Sequence, residues 1–136
     1  MTIMWIFLRT SPTWAALLPR IILALTFVPA GWYKFIDFQS KALDWKITYG
    51  FTTWETGIAA FIEFFGGIAL ALGLLTRLAA LGIIIVMCVG IWLVHLNDGY
   101  YPTYDTYAYQ LCLIGLAYVL VFIGGGNLSL DKKLFS

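Results

Sequence analysis

Charge is scarce in this chain. Of its 136 residues, 11% are Asp, Glu, Lys or Arg, and the formal net charge is only +1. A nucleic-acid surface needs a basic excess gathered on one face, and there is none to gather. Histidine occurs once, which excludes a haem held between two histidines. The two cysteines, Cys88 and Cys112, form neither a C-x-x-C pair nor a zinc-ligand spacing. No G-x-G-x-x-G follows a strand-like segment, so a dinucleotide or flavin cradle is not indicated. Tandem repeats, low-complexity tracts and long linkers are missing too, and a single domain over residues 1–136 is expected.

What fills the chain instead is apolar surface. Hydrophobic residues make up 62% of it, and the mean hydropathy is +0.89. Soluble domains of this size do not reach such values. Crossing a bilayer takes about 20 apolar residues at about 1.5 Å each. Four runs fit: roughly Trp14–Ile36, Trp54–Leu75, Arg77–Leu96 and Thr106–Gly124. They are continuous rather than alternating and rich in Leu, Ala, Ile and Gly, so they read as helices and not as barrel strands. A helix also satisfies its own backbone in lipid. The expected fold class is all-α: an integral membrane four-helix antiparallel bundle. The first run is read as a retained anchor rather than a cleaved signal, because Arg20 interrupts it early and no A-x-A site follows.

Basic residues set the orientation. Arg9, Arg20, Arg77, Lys132 and Lys133 fall on one side, against Lys34, Lys41 and Lys46 on the other. The positive-inside rule then places both termini in the cytoplasm. The turn "LLTRL" is short enough to force spans two and three into a tight antiparallel hairpin, with Thr76 as an N-cap for the third span. "TTWE", Thr52 to Glu55, reads as a capping box opening the second. Aromatic residues crowd the outer side, among them Trp32, Trp45, Trp54, Trp92, Tyr100 and Tyr104. Interfacial anchoring accounts for many of these. Their excess points to an aromatic-rich extracytoplasmic cap made of the 37–53 and 97–105 loops.

Within the apolar runs a few ionisable groups stand out. Glu63 lies about nine residues into the second span, so about 13 Å from its outer end. An acid at that depth costs a few kcal/mol or more and faces the interior of a bundle. It shares a helical face with Gly66 and Gly73, and small residues there let another backbone come close. On the first span Arg20 and Lys34 are about four turns apart and share a face with Ala24, Phe27 and Gly31. Arg20 is placed either in a pair with Glu63 or on a ligand. His95 closes the third span on the face of Trp92 and Cys88. Cys88 and Cys112 lie at similar depths, where a disulfide and simple helix packing are both open.

These residues fall in an order that resembles a known family. "LLPRIILALTFVPAGWYKF" is similar to the opening segment of the DoxX family, R-x-x-x-G/A followed by F and A-G-x-x-K. "FIEFFGGIALALGLLTRLAAL" resembles its E-x-x-G-G run ending in G-L-x-T-R-x-A-A. "WLVHL" resembles its third-span histidine, and "GGGNLSLDKKL" its tail. The resemblance covers nearly the whole chain. It implies a bacterial inner-membrane four-helix protein with a charged pocket. The family takes its name from a membrane component of thiosulfate:quinone oxidoreduction. Other members accompany redox, detoxification or metal-related systems, and distant relatives act as chaperones or cargo receptors.

The functional expectation is a membrane subunit of a redox system. Arg20, Lys34, Glu63, Trp92 and His95 would line an intramembrane pocket for a quinone or small anion. Glu63 and His95 would relay protons, since quinone reduction takes up two. No covalently bound cofactor and no metal is expected, and electrons would come from a protein partner. The bilayer is the other partner, self-association is open, and nucleic acid is not expected. Two alternatives stand beside this reading: a non-enzymatic scaffold, chaperone or assembly factor, and a small proton-coupled transporter.

Overall fold

The apolar runs become helices because nothing inside them offers the backbone a better arrangement than its own hydrogen bonds. In the computed structural model, residues 13–50, 52–92 and 107–135 are described, together with Ile3 and Leu8. Among the described residues all regular structure is helical: α1 Leu17–Ile36, α2 Phe38–Tyr49, α3 Thr53–Leu72, α4 Thr76–Gly90, α5 Tyr107–Ile123 and α6 Leu130–Phe135. Among the described residues, helix α3 alone is long and apolar enough to cross a membrane. Helices α1 and α2 pass the same test only together, and they are bent by 98° where they meet. Within the described residues α4 and α5 extend over 15 and 17 residues, about 22 and 26 Å of rise.

The segment expected as an outer loop after the first span is largely helix. Asp37 leaves the helical region at φ −129°, ψ 53°, and the chain turns sharply into α2. Gly50 ends α2 in the left-handed conformation, where a Cβ would be strained. The sequence gives α2 no clear apolar stripe, which is why its pattern reads as a loop. The capping box is present. The Thr52 hydroxyl accepts from the Glu55 amide at 3.4 Å, and the Glu55 carboxylate accepts from the Thr52 amide at 3.1 Å.

Helix α1 packs chiefly on α3, α4 on α5, and α3 on α4. The α1–α3 seam depends on two glycines. A Cβ on Gly31 would sit 2.6 Å from the Phe64 nitrogen, and one on Gly67 would sit 2.8 Å from Val28 Cγ2. The buried positions of α3 are Thr56, Ala60, Glu63, Gly67 and Leu70. Gly66, expected on that face, turns instead toward Ile83 of α4, and Gly73 is the left-handed C-cap of α3. Leu23, Phe27, Leu70, Ile83, Leu113 and Leu120 form the core. The outside is as apolar as the inside: Leu25, Phe61, Ile85 and Phe122 are all more than half exposed, a distribution suited to lipid.

One end of the helices is closed by a polar clasp. Arg20 is 3% exposed. Its guanidinium donates to the carbonyls of Leu70 at 2.8 Å, Ala71 at 3.0 Å and Gly125 at 3.0 Å, and also to that of Leu128. The first two belong to the last turn of α3, where carbonyls lose their regular helical partners, although Leu70 also accepts from the Gly73 amide at 3.2 Å. Thr76 does not cap α4 with its side chain. The Asp131 carboxylate does so from 55 residues away. It accepts from the Leu75 amide at 2.6 Å and the Thr76 amide at 2.8 Å, while its own amide donates to Gly73 at 2.9 Å. An acceptor on free N-terminal amides works whichever part of the chain supplies it.

Two stability predictions follow from these contacts. Gly31→Ala should lower stability by about 1–3 kcal/mol, as overpacking does. Gly115→Ala, where a Cβ meets nothing within 4 Å, should be neutral or raise it by about 0.5–1 kcal/mol. Thermal unfolding in detergent checks the contrast. Asp131→Ala should cost about 0.5–2 kcal/mol through the lost cap. Arg20→Lys should cost more, because a point-like ammonium cannot serve carbonyls spread around a planar fork. Limited proteolysis of the C-terminal tail in both variants measures the loosening.

Candidate functional site

Away from the clasp, two charges meet. Lys34 stands near the end of α1, and Glu63 stands on the face of α3 that packs against it. The Lys34 ammonium donates to Glu63 Oε2 at 2.5 Å. The side chains are 13% and 6% exposed, and lipid around the helices would remove water further. The close α1–α3 approach at Gly31 and Gly67 brings the helices near enough for this reach. Helix α2 completes the surroundings from above the bend, with the Lys34 Nζ lying 4.9 Å from the centre of the Trp45 ring. A ring face attracts a cation that has lost part of its hydration.

The pair borders a cavity of about 550 Å³, within the range of about 300–1,000 Å³ usual for small-molecule sites. Its walls are mostly apolar, with Phe27 from α1, Ile58 and Ile62 from α3, Ile85 and Met87 from α4, and Leu113 from α5. Polar groups are few: Thr26, Lys34, Glu55, Glu63, Tyr109, Gln110, and the indoles of Trp45 and Trp54. Among the described residues, no three of His, Cys, Asp and Glu are grouped to hold a metal ion.

The residues singled out by the sequence are distributed unevenly. Lys34 and Glu63 come together. Arg20 is kept apart from them, about 21 Å along α1 from Lys34 by helical rise. Its guanidinium is committed to backbone carbonyls, so the Arg20–Glu63 pair, one of the two placements open from the sequence, does not form, and Arg20 does not line the cavity. Trp92 follows α4, is 72% exposed and does not line the cavity either. His95 lies outside the described residues, as does the 97–105 loop. Cys88 and Cys112 are free and exposed rather than bonded to each other or buried in packing.

Trp45, Trp54 and Gln110 are among the lining residues that were not picked out as site residues. Trp45 and Trp54 belonged to the outer aromatic excess, but only the 98° turn brings Trp45 back over Lys34. Gln110 carried a readable signal, being the only amide side chain in the apolar run of α5.

A buried ion pair is weak evidence of stability but an informative target. Glu63→Gln and Lys34→Met should each destabilise the protein by about 3–5 kcal/mol, since each leaves the other charge buried and alone. The double variant Lys34→Met/Glu63→Gln should recover a large part of that loss. A double-mutant cycle on unfolding midpoints in detergent gives the coupling, which should be at least about 1 kcal/mol for groups in direct contact.

No curated protein and no solved structure matches this chain. The family model described as DoxX matches residues 15–96, more than half of the sequence, and takes in α1 with Lys34, α3 with Glu63 and the whole of α4. By that match the chain belongs to the DoxX family.

Proposed function

We propose that the protein is a membrane subunit of a redox system that holds a quinone head group in the cavity beside Lys34 and Glu63. In this reading the whole chain is one domain. It crosses the inner membrane as a four-helix antiparallel bundle with both termini cytoplasmic, and α2 forms part of the extracytoplasmic cap. The observation that carries the proposal is an apolar cavity with a charge-compensated pair at its edge. A small anion would need uncompensated positive charge. Lys34 is already neutralised by Glu63, Glu55 adds a negative charge to the lining, and Arg20 is engaged elsewhere. A neutral, largely apolar molecule with a few polar atoms suits such walls better.

The residues divide the work by their chemistry. The Lys34 ammonium has three N–H donors. One is used on Glu63, which leaves others for a quinone carbonyl. Trp45 and Trp54 offer flat apolar faces to a ring. The Glu63 carboxylate, beside the same ammonium, is a group that can hold and release a proton at the head group, with His95 proposed as the second member of a relay. Reducing a quinone takes two electrons and two protons. In this reading a redox partner protein supplies the electrons.

Binding and turnover test this directly. Protein in lipid nanodiscs should bind a short-chain benzoquinone and show no comparable affinity for sulfate. Lys34→Met and Trp54→Ala should each weaken quinone binding about tenfold, equivalent to about 1.4 kcal/mol. Glu63→Gln should lower turnover of the assembled complex. Failure of the wild-type protein to bind quinone, with a stable protein partner co-purifying, would transfer the reading to a scaffold.

A further inference from the structure

The polar clasp leaves two cations over. At that end of the helices Lys132 and Lys133 stand on α6, and neither is in an ion pair among the described residues. The acid beside them, Asp131, is committed, since both its oxygens accept from the Leu75 and Thr76 amides. The Lys132 ammonium donates to Asn127 Oδ1 at 2.7 Å. That neutral partner leaves its charge uncompensated and two of its three N–H groups for other acceptors. Lys133 is exposed.

The start of α1 brings apolar surface to the same corner. The Asn127 amide donates to the Thr13 carbonyl at 2.8 Å, which fastens the partner of Lys132 to the residue before Trp14. Trp14, Leu18, Ile21 and Leu25 follow one another at spacings of four, three and four, so they lie along one helical face. They are 64%, 65%, 45% and 71% exposed. From Leu18 to Leu25 the strip rises about 10 Å along α1. An indole, apolar in its body and polar at its N–H, suits the level of lipid head groups.

We propose that this corner binds an anionic phospholipid. Its phosphate accepts from the Lys132 and Lys133 ammonium groups, and one acyl chain runs from Trp14 along Leu18, Ile21 and Leu25. A zwitterionic lipid brings a cation of its own to the two lysines and gains less from them. Free phosphate would use the lysines but nothing on the strip. Because Lys132 follows Asp131 directly, a lipid held there also keeps the cap on α4 in place. The site is separate from the cavity beside Lys34 and stands independently of the quinone reading.

The test uses the full chain, freed of lipid in a neutral detergent. Dioleoyl phosphatidylglycerol and dioleoyl phosphatidylcholine are added separately, and bound lipid is counted by native mass spectrometry. The wild-type protein should hold phosphatidylglycerol about tenfold more tightly, the scale expected of two lysines at a lipid surface. Phosphatidylglycerol should also raise its unfolding midpoint. Lys132→Gln/Lys133→Gln should bring the two lipids to equal affinity, and Lys132→Arg/Lys133→Arg should keep the preference. Lys133→Gln alone should lose about threefold in phosphatidylglycerol affinity with its lipid-free unfolding midpoint unchanged, which separates lost binding from lost folding. Leu18→Ser should weaken both lipids alike. Lys41→Gln/Lys46→Gln, which removes two cations at the other end of the helices, should change neither. Equal wild-type affinity for the two lipids, or an equal loss in the Lys41/Lys46 variant, overturns the site. Displacement of the lipid by excess inorganic phosphate overturns it too, because the lysines would then be binding phosphate alone.

Discussion

The contact between Lys34 and Glu63 governs the organisation of this molecule. Either charge alone would be costly between apolar helices, and each makes the other tolerable. That requirement fixes much else. Helices α1 and α3 must run close enough for the ammonium to meet the carboxylate, which the bare backbones at Gly31 and Gly67 allow. The bend after Ile36 lets α2 fold back so that Trp45 covers the ammonium. Apolar side chains beyond the pair then leave open space rather than filling it.

A second polar centre balances the first at the other end of the helices, and it is built on a different rule. There the charged groups meet backbone rather than each other. Arg20 serves carbonyls at the end of α3, and Asp131 serves amides at the start of α4. Helix ends carry unpaired groups of known sign, positive at amides and negative at carbonyls. The fold uses one fixed cation and one fixed anion to meet both. The two centres thus separate the tasks of their arginine and lysine. Arg20, with its planar fork, holds the architecture. Lys34, with a compact and mobile ammonium, lies beside the cavity.

The helices were readable because their apolar runs are long and unbroken, and the start of α3 was readable because Thr52 and Glu55 sit three apart. Lys34 and Glu63 were readable as charges in the wrong solvent. Arg20 was readable in the same way, but its partners were not. They are main-chain carbonyls, which every residue has, so no side-chain pattern marks them. The cap on α4 was hidden for a related reason: Thr76 is the local candidate, and Asp131 lies far along the chain. Helix α2 was hidden because its apolar and polar residues follow no helical stripe, and its position is set by the turn at Asp37 and by packing on α3. The face of a glycine was legible only to within one residue, as Gly66 and Gly67 show. A helical wheel resolves neighbouring positions poorly when both are small.

The long-distance cap by Asp131 has a consequence for biogenesis. Chains are made from the N-terminus, so α3 and α4 are synthesised before the residue that closes their turn. Until the tail emerges from the ribosome, the Leu75 and Thr76 amides have only water or lipid head groups to bond with, and the strained left-handed Leu75, at φ 48°, lacks its anchor. The helical hairpin can form early, but its final geometry is locked only once Asp131 has been made.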